Sequence, residues 1–148
     1  MATKKTYRYD AEDYPEGKII SSRGDHFETL TGLQKRAETL IRQARPDGGK
    51  IRAQSLYAWE SQDVAERLWR MKKRTTPVHL FELEIQDDDM IHRGDVDAFT
   101  AVTIAIQRHQ SPERAVRDYW EGVCGGERIE ILARKAKVLR RLRHSLDE

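Results

Sequence analysis

The segment Thr6-Tyr7-Arg8-Tyr9-Asp10, near the N-terminus, places an arginine between two tyrosines. Successive side chains of a strand point to opposite faces, so Tyr7 and Tyr9 share one face while Arg8 and Asp10 share the other. Paired charge is unusual in a core strand, and we therefore interpret Arg8 as a residue that lines a cleft. The alternative is an edge strand with a solvated Arg8, because arginine is mostly exposed in folded proteins.

The composition favours one domain over residues 1–148 with a continuous core, since 38% of the residues are hydrophobic and 35% are charged. A net charge of only +2 excludes a general basic field that would bind nucleic acid without a local patch. Cys124 is the single cysteine, and no Cys/His group has zinc spacing, so we predict neither an internal disulfide nor a metal. Because no long apolar run is present, we expect a cytoplasmic protein without membrane association.

Apolar spacing and turn residues predict alternating helices and strands. Helical spacing is found over residues 27–44, 61–69, 98–107 and 111–120. Strand-like patterns are found over 18–25, 56–59, 77–85 and 128–132, the third of them half-buried. Residues 92–95 are interpreted as a loop that could fold over a cleft, and the tail beyond residue 133 suits either a helix or a final strand.

Three of these segments, in this order, resemble the catalytic domain of the ADP-ribosyltransferase superfamily of the cholera- and pertussis-toxin type. Tyr7-Arg8-Tyr9-Asp10 resembles its first-strand arginine signature, residues 57–61 its central corner, and Glu130-Ile131-Leu132-Ala133 the strand of its late catalytic glutamate. The resemblance covers nearly the whole chain in element order. It implies a single α+β domain with a split mixed sheet and flanking helices.

The resemblance also implies an enzyme: an NAD-dependent mono-ADP-ribosyltransferase that is an effector or toxin and acts on a protein or nucleic-acid acceptor. Breaking the bond between nicotinamide and ribose builds positive charge on the sugar, which the carboxylate of Glu130 would stabilise. Arg8 would bind a phosphate of NAD through its fork of donors. Tyr57 or Trp59 would stack on the cationic nicotinamide ring. The residues expected to bind NAD are Arg8, Tyr9, Tyr57, Trp59 and Ser61.

The sequence departs from the toxin pattern at two places. The toxins carry Ser-x-Ser at the corner, whereas this chain has Ala58-Trp59-Glu60-Ser61, so Ser55 or Ser61 would have to supply the hydroxyl. Members that modify arginine carry an acidic or amide residue two positions before the glutamate. Here that residue is Arg128, and we do not expect arginine to be the acceptor.

Other interpretations stay open from the sequence. Tyr57 and Trp59 could be core residues, and Glu130 could point outward by ordinary alternation. The tail could bind a macromolecular partner through its positive charges, or be a solvated face. The chain could then be an inactive transferase-like scaffold that binds a protein or nucleic acid; transfer of an RNA 2′-phosphate to NAD is a further alternative. The residues of the proposed partner surface are Arg134, Lys135, Lys137, Arg140, Arg141 and Arg143.

Overall fold

The computed structural model describes residues 2–22, 30–122 and 125–147. Phe27, the turn at residues 24–25 and Cys124 lie outside these ranges. The strands are β1 (Thr3–Asp10), β2 (Ile19–Ser21), β3 (Leu56–Trp59), β4 (His79–Gln86), β5 (Met90–Asp95), β6 (Ile129–Ala133) and β7 (Lys135–Arg143). The helices are α1 (Gly32–Gln43), α2 (Gly48–Gln54), α3 (Gln62–Lys72), α4 (Val96–Gln107) and α5 (Glu113–Glu121). None of these helices is both long enough and apolar enough to cross a membrane.

The described strands form one sheet in the order β2-β7-β4-β1-β3-β6-β5. The α+β class is confirmed. The expected mixture of strand directions is wrong, because each neighbouring pair in the described sheet is antiparallel. Alternation of apolar and polar residues, as in residues 128–132, is itself typical of antiparallel sheets. β1 is a central strand, so the interpretation of Arg8 as an edge-strand residue is also wrong.

The two halves of the sheet share one core. Leu56, Ala58 and Ile131 on β3 and β6 cluster with residues from β4 and β7 such as Phe81 and Val138. Among the described residues, this cluster is built from strands and from Tyr14 in the loop after β1, with no helix residue.

The helices bury apolar residues in two separate clusters. Ala65 and Trp69 of α3 pack with Val78 and Leu80. Residues of α1, α4 and α5 form the second cluster. Because α3 covers its other face, β4 is buried nearly throughout, and the expectation of a half-buried strand is wrong. The members of the second cluster are Ala37, Ile41, Val102, Val116 and Tyr119.

Two elements were not predicted from the sequence. α2 begins at Gly48, where a Cβ would lie 2.5 Å from the carbonyl oxygen of Arg42, so glycine is needed for the tight approach of α2 to α1. β5 occupies the segment that we expected to be a loop over a cleft. The ambiguous tail is a strand, because β7 pairs with β2 on one side and with β4 on the other.

Candidate functional site

The sheet opens between β1 and β3. These strands are paired at Tyr7 and Trp59 and separate beyond that point. The separation leaves a cleft of about 280 Å³. The structure thus brings together five residues that the sequence analysis assigned to the site. The cleft is lined by Arg8, Tyr9, Tyr57, Ala58, Trp59 and Glu130.

Arg8 spans the mouth of this opening. Its Nη1 donates a 2.7 Å hydrogen bond to the carbonyl oxygen of Tyr57, a backbone group that would pair with β1 if the strands stayed together. Its Nε donates to Oδ2 of Asp10 at 3.3 Å, and the hydroxyl of Tyr14 donates to the same oxygen at 2.8 Å. The side chain of Arg8 is 27% exposed, so part of its fork of donors can meet a ligand in the cleft.

Glu130 lies across β3 from this arginine. It pairs with Trp59 on one side and with Gly94 on the other. Its Oε1 accepts a 2.7 Å hydrogen bond from the hydroxyl of Tyr119 and a 2.8 Å hydrogen bond from Nη1 of Arg52. The side chain is only 12% exposed. The alternative that Glu130 points into bulk solvent is therefore wrong.

Arg52 is the centre of a buried polar cluster behind the cleft. Its side chain is 3% exposed, and it clamps Glu38 with Nε to Oε2 and Nη2 to Oε1, both at 2.9 Å. Its Nη1 also donates to the hydroxyl of Tyr119. Burial alone would lower the pKa of Arg52, but the charge of Glu130, with contributions from Tyr119, Tyr57 and Glu38, raises it well above its ordinary value. Arg52 is thus permanently charged.

The tyrosines around Arg52 are hydrogen-bond donors. Burial, followed by the charge of Glu130, raises the pKa of Tyr119 well above its ordinary value. Burial likewise raises the pKa of Tyr57, whose hydroxyl donates to the carbonyl oxygen of Arg52. The guanidinium carbon of Arg52 lies 4.9 Å from the ring centroid of Tyr57 and 5.2 Å from that of Tyr119, within cation–π range.

A glycine on β5 makes room for Tyr119. A Cβ at Gly94 would lie 2.6 Å from Cε2 of the Tyr119 ring. The backbone of Tyr119 is also fixed, because Nε2 of His92 donates a 3.0 Å hydrogen bond to its carbonyl oxygen. Burial lowers the pKa of His92, although this hydrogen bond and the charge of Glu130 act in the opposite direction.

The corner hydroxyls do not reach the cleft. Ser61, which we expected to bind NAD, instead caps α3 by accepting a 3.3 Å hydrogen bond from the backbone N–H of Val64. Ser55 is buried and lies four residues before Trp59, which pairs with Glu130. Along a strand, four residues separate Ser55 from Trp59 by about 13 Å. Ala58 borders the cleft, but its side chain has no hydroxyl and belongs to the core cluster of the sheet.

The arginines of the basic tail form contacts within the described chain. Three of its arginines form ion pairs, because β7 places them beside acidic residues of the sheet, α3 and the loop after β1. Lys135 and Lys137 are exposed and form no ion pair with the described residues. Arg134 donates a 3.4 Å hydrogen bond to the carbonyl oxygen of Asp88. The pairs are Arg140–Glu82 at 3.5 Å, Arg141–Asp13 at 2.5 Å and Arg143–Glu66 at 3.1 Å.

One group has the residue types of a metal site. Potential ligand atoms of Asp13, His79 and His144 lie within 4.8 Å of one another. However, Nδ1 of His79 accepts from the backbone N–H of Ser145 and Nδ1 of His144 from that of Leu146, both at 3.2 Å. The neutral rings then carry their proton on Nε2 and have no lone pair there. A metal would require these hydrogen bonds to break.

Comparison of the chain with models of known protein families gives no match, and comparison with curated proteins gives none.

Proposed function

We propose that the chain is an NAD-dependent mono-ADP-ribosyltransferase with an ADP-ribosyltransferase-like fold, acting on a macromolecular acceptor. One observation carries the proposal: Arg8, Glu130 and three aromatic residues from separate strands line one cleft, where the central strands part. Aromatic faces, a carboxylate and an arginine fork are the groups suited to a cationic ring, a developing positive charge and a phosphate.

Glu130 and Arg8 would act on different parts of NAD. Both described hydrogen bonds to the Glu130 carboxylate go to Oε1, which leaves Oε2 to face the ribose. When the bond from C1′ to nicotinamide breaks, its electron pair leaves with nicotinamide, and Oε2 stabilises the positive charge left on the sugar. The acceptor nucleophile then bonds to C1′ and loses its proton. Arg8 holds a phosphate so that the sugar stays in place during the exchange.

The scaffold alternative receives less support. It rested on Ala58 at the corner and on the basic tail. Ala58 belongs to the core cluster of the sheet, so packing accounts for a small apolar residue at that position. In the tail, Arg140, Arg141 and Arg143 already have acidic partners. No observation favours transfer of an RNA 2′-phosphate.

The role of Arg8 is tested by measuring NAD affinity. We expect Arg8→Ala to weaken binding about 10- to 100-fold, the value of one hydrogen-bonded contact with a charged group. Arg67→Ala is the matched control, since Arg67 is a surface arginine paired with Glu127 outside the cleft. Equal affinity of Arg8→Ala and the native chain would remove Arg8 from the site.

The acceptor class is tested with NAD labelled in its ADP-ribose part. Purified chain and labelled NAD are added to a cell lysate, and the macromolecular label is then treated with protease or with nuclease. Label that only protease releases identifies protein acceptors, and label that only nuclease releases identifies nucleic acid. Absence of macromolecular label, with an active NAD-cleaving chain, would contradict transfer and leave only NAD hydrolysis.

A further inference from the structure

We infer that Tyr119 and Arg52 are positioning residues that hold Glu130 for the reaction, an inference that rests on the proposed function. Both donate to the same carboxylate oxygen, Oε1. Two donors from different helices on one oxygen fix the rotation of the carboxylate about its terminal bond. The second oxygen then keeps one direction, and Glu130 itself lines the cleft.

Stability alone is a poor explanation for this cluster. Arg52, Glu38 and Tyr119 are buried, and Glu130 is nearly so. Burial of charge costs free energy that attraction between the charges only partly returns, and well-packed apolar residues are often at least as stable. A buried cluster whose outermost member lines a cleft is more readily explained by the need for a carboxylate held in one orientation.

Different nitrogen atoms of the Arg52 guanidinium bind different carboxylates. Glu38 accepts from Nε and Nη2 and thereby fixes the plane of Arg52. Nη1 is left to reach Glu130 and the Tyr119 hydroxyl. Glu38 is thus a counter-ion of the buried arginine, and Nη1 of Arg52 remains directed to Glu130.

Tyr119 also supplies the hydroxyl donor that we expected from the corner serines. The corner hydroxyls of Ser55 and Ser61 lie too far away or are engaged elsewhere, as described above. Tyr119 lies on α5, and its hydroxyl donates a 2.7 Å hydrogen bond to Oε1 of Glu130. The hydrogen-bond support of Glu130 in this chain therefore comes from a helix and not from the strand-to-helix corner.

The test compares Tyr119→Phe with Tyr7→Phe, in release of nicotinamide from NAD. Tyr119→Phe keeps the ring and removes only the hydroxyl. We expect kcat to fall about 10-fold or more, the effect of one hydrogen bond to a charged group, while KM for NAD changes by less than about twofold. Tyr7 packs against α3 outside the cleft lining, and its variant should retain native kcat.

Arg52→Lys is the second variant, because lysine keeps the charge but lacks the planar fork that joins Glu38 to Glu130. We expect kcat of Arg52→Lys to fall at least as much as kcat of Tyr119→Phe. Both are measured below the thermal unfolding midpoint of each variant, so that the chains are folded. Native kcat in a folded Tyr119→Phe, or a loss seen only in KM, would overturn the inference and leave the proposed function intact. A native chain that binds NAD but releases no nicotinamide would overturn both.

Discussion

At the scale of single residues, Arg8 lines the cleft with its side chain 27% exposed, whereas Arg52 lies buried behind the cleft. Arg8 stands out because it interrupts a pair of tyrosines in a strand pattern, and the structure places it at the cleft. Arg52 gave no comparable signal, because an arginine in a short polar helix is usually solvated. Glu38 did carry a signal: it lies beside Ala37 and one turn before Ile41, so it is a charge on an apolar helix face. Its partner could not be inferred, since the contact depends on how α1 and α2 pack.

His92 gives the chain a pH-dependent stability. Burial lowers its pKa below the ordinary value of 6.5, so the unfolded chain binds a proton more readily than the folded one. The contribution of His92 to the free energy of unfolding is full above pH 6.5. It falls as the pH drops toward the lowered pKa of His92 and levels off below that pKa. We expect His92→Gln to flatten this part of the urea-unfolding stability profile.

The control is His109→Asn, at an exposed position whose φ of 56° asparagine tolerates. That variant should keep the native profile. If the slope just below pH 6.5 is the same in His92→Gln as in the native chain, His92 is not its source.

At the scale of elements, alternation identified most strands, and helical spacing identified α1, α3, α4 and α5. The elements that were missed are short or have sequences typical of turns. α2 opens with two glycines, and β5 follows three aspartates and contains a further glycine. Both contribute directly to the cluster behind the cleft. These elements form because neighbouring segments supply their packing and hydrogen-bond partners. The residue pattern of a single segment does not show those partners.

Gly94→Ala tests the fit between β5 and α5. The added Cβ would meet the Tyr119 ring at 2.6 Å and push it from Glu130. We expect a loss of stability of about 1–3 kcal/mol, typical of overpacking, together with a fall in nicotinamide release. The matched variant is Gly49→Ala in α2, where nothing lies within 4 Å of the new Cβ. It should be neutral or slightly stabilising; equal behaviour of the two variants would contradict the close approach.

Ser61→Ala separates a capping role from a role in NAD binding. Because Ser61 accepts the N–H of Val64 at the start of α3, its loss should lower the free energy of unfolding by about 1 kcal/mol. NAD affinity should stay native, since Ser61 does not line the cleft. Weaker NAD binding at unchanged stability would restore Ser61 to the site.

At the scale of the whole molecule, the α+β class could be predicted, whereas the sheet order could not. Strand neighbours come from distant parts of the sequence: β1 lies between β3 and β4, and β6 between β3 and β5. The cleft arises from this order, because it forms where two central strands part after one paired position. A residue pattern records which face a side chain takes, but not where a sheet opens.

The most direct test of the account is release of nicotinamide from NAD by the native chain, by Glu130→Gln and by Glu127→Gln. Glu127 is an exposed glutamate just before β6, paired with Arg67, and serves as the matched control. The account predicts release by the native chain and by Glu127→Gln, and a loss of about 100-fold or more in Glu130→Gln, as for removal of a group that stabilises transition-state charge. Equal release by Glu130→Gln and the native chain, or no release by any of the three, would contradict it.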